Sequence, residues 1–236
     1  MTSTPRRSAL IVHAHPEPAS FSTAQMHAAA SALEAQGYHV DVLDLYELSW
    51  SAILSRDEFE PVEGTFKPQA EQMKATRAGT LPSDVQASLD AVLAADLLVL
   101  SFPLWWFSLP AILKGWVDRV FVMGATFGGD FGLFGEAALV GRRAVLLVTT
   151  GGPQRSFTRE GNFGDIEDFL FHIHRGMLQF VGYAVLEPVI TYGPAHLDDV
   201  QRARELDRIR DAFAGVDGRN PALIRQGHSA TGHSRH

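Results

Sequence analysis

Three short, unbroken apolar runs constrain this chain more than any other feature. They are Ala9-Leu10-Ile11-Val12, Leu97-Leu98-Val99-Leu100 and Ala144-Val145-Leu146-Leu147-Val148. They lack the polar alternation of a half-exposed strand, and turn or loop residues follow each of them closely. They read as strands covered on both faces, the mark of a parallel sheet. Longer stretches with helical periodicity lie between them. Ser20 to Gln36 is closed by Gly37, and Pro82-Ser83-Asp84 opens a second helix that runs to about Ala95. A third begins near Pro110 and carries Ile112, Leu113, Trp116, Val117 and Val120 on one face. Further helices are expected over roughly 165–180, stopped by Gly182, and from about Asp198 to Phe213. Tyr38 to Leu45 and Ala184 to Thr191, the latter kinked at Pro188, bring the number of strands to five.

Five strands separated by helices predict an α/β domain: a doubly wound, five-stranded parallel sheet in the order 2-1-3-4-5, with helices on both faces. A single domain is expected over residues 1–215. Residues 216–236 are polar and without pattern, and are expected to form a disordered tail. Residues 46–81 show no regular period and are expected to hold at most short helices. In such sheets ligands bind outside the carboxyl ends of the strands, where the first and third diverge. The loops after strands one, three and four are therefore the place to look for chemistry.

Composition narrows that chemistry. The 236 residues contain no cysteine, so disulfides, thiolate metal sites, Fe–S clusters and cysteine nucleophiles are excluded, and a redox function needs a bound cofactor. The 20 basic and 27 acidic residues leave a formal charge of −7, which argues against nucleic acid or an anionic membrane as partner. The 10 histidines are scattered: His172 and His174 fall on different sides of one helix, and His228, His233 and His236 sit near the end, so no metal site is expected. No apolar run approaches the roughly 20 residues of a membrane span. The first run meets His13 and His15 too soon to be a signal segment, and a cytoplasmic location is the expectation.

The loop after strand one is His13-Ala14-His15-Pro16-Glu17-Pro18-Ala19-Ser20-Phe21-Ser22. It has neither the G-x-G-x-x-G of a dinucleotide fold nor the Gly-Lys-Ser/Thr of a nucleotide triphosphatase. It offers hydroxyls and free N–H groups at a helix N-terminus with a histidine opposite, which suits a phosphate or pyrophosphate. Ser20 as a plain N-cap and His15 as an ordinary loop histidine is the alternative. The loop after strand three, Phe102-Pro103-Leu104-Trp105-Trp106-Phe107-Ser108-Leu109-Pro110, sets three large aromatics side by side. A strand or helix would spread them over different faces, and exposing them forfeits about 25 cal/mol per Å² of burial. A flat aromatic ligand stacked on them, a dimer interface, or both would resolve this. After strand four, Thr149-Thr150-Gly151-Gly152 lets backbone approach a ligand closely.

At these loops the chain resembles the NAD(P)H:quinone oxidoreductase (DT-diaphorase-like) family, of flavodoxin-like fold. The segments that carry the resemblance are ALIVHAHPEPASFS, ADLLVLSFPLWWFSLPAILKGWVDRVF, VLLVTTGG and VGYAVLEPVITYG, within residues 8–213. The resemblance implies a homodimer that binds FAD, with FMN the less favoured flavin, and takes a hydride from NAD(P)H in a ping-pong cycle that reduces quinones or related aromatic acceptors. It assigns His15, Ser20, Phe21 and Ser22 to the FAD pyrophosphate and its surroundings. It assigns Pro103, Leu104, Trp105, Trp106, Phe107, Thr149, Thr150, Gly151, Gly152 and Phe157 to the flavin ring. Trp106, Phe107, Phe127, Phe131 and Phe163 would wall the substrate pocket, partly across the dimer.

The sequence departs from the family where its better-known members carry a tyrosine and then a histidine after T-T-G-G. Phe157 and Phe163 stand there, and neither ring donates a hydrogen bond. Arg155 and Arg159 lie in the same loop as possible substitutes, or simply face solvent. A non-enzymatic flavodoxin-like electron carrier and a regulatory subunit of an ion-efflux system are the competing readings of the chain as a whole.

Overall fold

The computed structural model describes residues 7–59, 61–62 and 64–224. Strand β1 (Ser8–His13) pairs in parallel with β2 (His39–Asp44) on one side and β3 (Leu97–Pro103) on the other. β3 in turn pairs with β4 (Arg143–Thr150), and β4 carries the last strand in two pieces, β5 (Ala184–Val185) and β6 (Val189–Tyr192). The order is 2-1-3-4-5, all parallel, with the expected interruption at Pro188, which has no N–H to donate to the ladder.

The apolar runs lie at the centre because only the centre is covered on both faces. All seven residues of β3 are buried. Side chains alternate along each strand, so Leu10, Val12, Leu98, Leu100, Leu146 and Val148 enter one core, while Ala9, Ile11, Leu97, Val99, Val145 and Leu147 enter the other. The second core is closed by α1 (Phe21–Ala35) and α6 (Asp199–Ala214), through Met26, Ala29, Leu33, Ile209 and Phe213. The first is closed by α3 (Ser83–Ala94), α4 (Ala111–Val120) and α5 (Ile166–Ile173), through Val85, Leu89, Leu113, Trp116, Leu170 and Ile173. The end of α5 widens into a π-helical segment, His174–Gln179. No helix of the described residues is long and apolar enough to cross a membrane.

Two expectations need correcting. The 46–81 excursion holds α2 (Pro68–Ala78), an eleven-residue helix with Pro68 in its first turn and Gly79 ending it at φ 68°. Only Gln72 and Ala75 of α2 are buried, so it has no apolar stripe for periodicity to reveal. Arg119 ties this excursion to the body. Its guanidinium meets Glu58 at 2.8 Å, Asp84 at 2.9 Å and the Ser51 carbonyl at 3.1 Å, and lies over the Trp50 ring.

The second correction concerns the chain after Gly215. Val216 is completely buried in the α1/α6 core, and Asp217 pairs with Arg143 at 2.7 Å as well as with Arg7 and the Tyr38 hydroxyl. The Ala222 N–H donates to the Val185 carbonyl at 2.8 Å. Residues 216–224 thus belong to the fold, and the rest of the expected tail, 225–236, lies outside the described residues. Polar composition concealed this because one buried valine and a set of ion pairs hold the segment. Ending the chain after Gly215 is expected to lower unfolding free energy by about 2–4 kcal/mol, of which Val216 burial alone supplies about 1.5–3. Urea melts of chains ending at 215 and at 224 check this, and equal midpoints would refute it.

Candidate active-site cleft

The carboxyl ends of β1, β3 and β4 open onto one continuous cleft. Two adjoining cavities of about 480 and 410 Å³ share His15, Thr149 and Ala195. The larger is lined by Ser20, Phe21, Ser22, Arg202 and Leu206, the smaller by Pro103, Leu104, Trp105, Trp106, Thr150 and Gly151. Most of the residues expected at a cofactor site from three separate loops are therefore brought together.

The loop after β1 is built by local hydrogen bonds. Ser20 caps α1, its Oγ accepting from the Thr23 N–H at 3.1 Å. Glu17 shapes the preceding turn: its carboxylate accepts from the Ala19 N–H and its carbonyl from the Ser20 N–H. The Glu17 N–H donates to His15 Nδ1 at 3.0 Å. Nδ1 also lies 3.2 Å from the Glu17 carbonyl, so Glu17 holds this edge of the ring, and Nε2 is the ring nitrogen left without a hydrogen-bond partner among the described residues at the cleft. The opening N–H groups of α1 have no intrahelical partner and carry the positive end of the helix dipole. Ser22 is less available than the sequence implied, since its Oγ meets Thr149 Oγ1 at 2.8 Å and both groups are buried. This pair fastens α1 to the end of β4.

The ring-side loop is a strained turn. Trp105 and Ser108 bridge across it, and Trp106 and Phe107 between them take φ of 51° and 58°. That left-handed region costs a non-glycine residue about 1–2 kcal/mol. The strain holds Trp106 away from the core, 96% exposed. Phe107 turns the other way and stacks on Phe169, ring centroids 4.5 Å apart, with Phe163 at 5.6 Å and Phe157 at 6.3 Å. Ser108 meets His172 Nε2 at 3.0 Å, which joins the turn to α5. Opposite, Thr150 Oγ1 donates to the Gly152 carbonyl. A Cβ on Gly152 would come within 3.1 Å of Phe163, so glycine is what lets backbone and ring approach.

Some expected site residues lie elsewhere. Phe157 is buried behind the cleft, packed on Phe163 at 5.2 Å and Tyr192 at 5.8 Å, and lines neither cavity. Phe127, expected to reach the pocket of a partner subunit, packs within its own subunit on Phe180 and lines an apolar cavity of about 920 Å³ that shares no lining residue with the cleft. Phe131, from the same loop and with the same expected role across a dimer, is exposed. Both candidate arginines are exposed, and the Arg159 Nε donates to Asp165 at 3.2 Å. The sequence reading missed Pro194, Ala195, Arg202 and Leu206, which come from the loop after the last strand and from α6. Their signal was a Gly-Pro turn at a strand end followed by an arginine in the next helical turn. The Arg202 Nε donates to the Pro194 carbonyl at 3.3 Å, so this arginine also holds the loop in place. A buried histidine, His13, was overlooked as well.

This geometry agrees with what the chain is similar to. Residues 7–213 match the family model described as flavodoxin-like fold. A ribosyldihydronicotinamide dehydrogenase-like protein of Penicillium crustosum is 39% identical over 194 residues, covering 78% of this chain and 72% of the relative. NAD(P)H dehydrogenase [quinone] 1 of Cavia porcellus is 38% identical over 193 residues, covering 80% and 70%. A crystal structure of a Klebsiella pneumoniae protein, provisionally assigned as a quinone reductase, superposes with a TM-score of 0.86 at 34% identity, covering 95% of this chain and 90% of that one. The chain belongs to the flavodoxin-like NAD(P)H:quinone oxidoreductase family, and it is an oxidoreductase of that kind.

Burial of His13 has a consequence that can be measured. Desolvation, with smaller contributions from His15 and His27, outweighs the opposing pull of Asp44 and lowers its pKa from 6.5 to about 4. Between these values the unfolded chain binds a proton that the folded one excludes. Stability is therefore full above about pH 6.5 and lost as pH falls toward 4. His174, lowered to about 4 mainly by burial, acts in the same direction. Urea melts at pH 7 and 4.5 should show a loss of a few kcal/mol that shrinks in a His174→Leu variant; an unchanged slope in that variant would count against it.

Proposed function

We propose that the cleft binds one FAD per subunit, and that the protein uses it to pass hydride from NAD(P)H to quinones or related aromatic acceptors in a ping-pong cycle. The observation that carries this reading is the junction of two differently built cavities. One is a hydroxyl- and N–H-rich pocket at a helix N-terminus, and the other is a flat pocket between the Trp105-Trp106 turn and Thr149–Gly151. The residues present fit a flavin, which needs a phosphate cradle and a flat wall side by side. FAD is favoured over FMN because the first cavity continues past Ser20 to Phe21, Arg202 and Leu206, room that a lone phosphate leaves unfilled.

When bound, the flavin supplies the hydride acceptor and donor, and the chain's residues do the rest. His15 Nε2, the Ser20 hydroxyl and the start of α1 donate toward the phosphates. Trp105 and Trp106 offer aromatic faces to the ring, and the backbone at Gly151 and Gly152 approaches its edge. The Phe107, Phe163 and Phe169 rings exclude water from the neighbouring volume and stack on aromatic acceptors. Trp106 at 96% exposure, beside the exposed Trp105, is more apolar surface than an isolated subunit keeps open, and supports a homodimer that closes the pocket.

Purified protein is expected to be yellow and to release FAD on denaturation, with NAD(P)H oxidation depending on an added quinone. Colourless protein that neither FAD nor FMN reconstitutes would overturn the reading. Flavin without turnover of any quinone would favour the electron-carrier alternative. A second outcome concerns Phe157 and Phe163. An aromatic wall without a donor leaves charge that develops at the ring edge unstabilised, and one missing donor in a preorganised site costs about 3 kcal/mol, roughly a hundredfold in rate. Phe163→His, and with it Phe157→Tyr in the layer behind, is expected to speed flavin reduction by NAD(P)H in stopped flow. Arg159, already engaged by Asp165, should not substitute, so Arg159→Ala is expected to leave the rate within about twofold. A fall in rate for Arg159→Ala, with no gain from the double variant, would reverse this assignment.

A further inference from the structure

We propose that His13, buried beneath the phosphate side of the cleft, is a positioning residue: through Thr23 it leaves the Ser20 hydroxyl free to donate to an anion. The inference rests on the flavin reading above, since that reading supplies the anion. His13 ends β1, a strand otherwise apolar from Ala9 to Val12, and is wholly buried. A polar side chain in that position is costly unless its ring nitrogens are partnered, and both are. Nδ1 lies 3.1 Å from Ser101 Oγ on β3, and Nε2 lies 3.1 Å from Thr23 Oγ1 on α1.

The hydrogens of this cluster can be placed by counting. Thr23 Oγ1 also lies 3.2 Å from the Glu17 carbonyl and 3.0 Å from Ser20 Oγ. A carbonyl only accepts, so the single Thr23 hydroxyl hydrogen goes to Glu17. Thr23 Oγ1 is then an acceptor toward both His13 and Ser20. The Ser101 hydroxyl donates to Nδ1, which puts the imidazole proton on Nε2 and directs it at Thr23. The opposite tautomer would leave the buried Ser101 hydrogen without an acceptor. Burial keeps the ring neutral, with its pKa lowered to about 4, so it has one hydrogen to give.

With no anion present, Thr23 Oγ1 receives hydrogens from both His13 and Ser20. An anion accepts only. When one sits at the start of α1, the Ser20 hydrogen turns to it, and Thr23 keeps the bond from His13. Ser20 Oγ goes on accepting from the Thr23 N–H, so the cap survives. Without His13, the buried Thr23 oxygen and the anion compete for one hydrogen. His13 thus acts at second hand: it lines neither cavity of the cleft, while Ser20 does.

The test is the equilibrium binding of FAD and of riboflavin, which has the ring but no phosphate, to apoprotein, followed by flavin fluorescence. His13→Leu is expected to weaken FAD about tenfold, the worth of one charge-assisted hydrogen bond, while riboflavin stays within about twofold. His13→Gln can return an N–H to the Nε2 position and should recover most of the loss. Adding Thr23→Val to His13→Leu removes the competing acceptor and should recover at least half of it on a logarithmic scale. His13→Asn keeps a polar group in the core but reaches only Ser101, so it should reproduce the selective loss, and it serves if the leucine variant does not fold. Equal losses for FAD and riboflavin, no loss for either, or no recovery with Thr23→Val would overturn the proposal and leave His13 a packing residue. Wild-type protein that binds ADP with this same dependence but takes no flavin would overturn the flavin reading and keep the role of His13. Binding of neither would overturn both.

Discussion

The parallel pairing of β1 with β3 is the constraint from which the rest of the molecule follows. It sets side by side two strands whose outgoing connections leave in opposite directions across the sheet, so their carboxyl ends cannot be covered by the same helix. The gap that results is where the loops at Ser20, Trp106 and Thr149 meet. Strand burial makes the arrangement stiff: β3 is covered along its whole length, and the two cores on either side press on the same backbone. A cleft on such a base can hold strained turns that a softer scaffold would relax.

Each half of the cleft answers a different physical demand. At the start of α1, the demand is for polar groups that stay in place without a ligand. Hydroxyls that bond one another, Ser22 with Thr149 and Ser20 with Thr23, meet it. On the ring side, the demand is for flat apolar surface in contact with solvent. The chain meets it by spending backbone strain at Trp106 and Phe107, whose positive φ keeps one ring outward and packs the other against Phe169. Phe163 continues that apolar surface beside Phe107, with Phe157 packed behind it.

The excursion at 46–67 and the segment after Gly215 show how polar stretches join a fold. Each is held by one nearly buried or well-partnered ionic centre, Arg119 in the first and Asp217 in the second. A buried arginine between two carboxylates is a poor source of net stability, but it leaves few alternative arrangements once the charge is inside. Such anchors have no sequence periodicity. Their partners lie tens of residues away, so they do not show in any local window.

Read alone, the amino-acid sequence determined the sheet order, the two covered faces and the three loops at the site, because apolar burial in strands and helices has a short period visible along the chain. It also pointed to the sheet edge where the cleft opens, since that follows from topology once the strands are known. Only the tertiary structure decided that Phe157 lies behind the cleft and that Arg202 lines the cavity at Ser20. It alone showed α2 without an apolar stripe, the order of residues 216–224 and the buried link from Ser101 through His13 to Thr23. Each of these depends on contacts between residues far apart in the chain, where the outcome is set by which polar groups find partners inside, and that information has no linear signature.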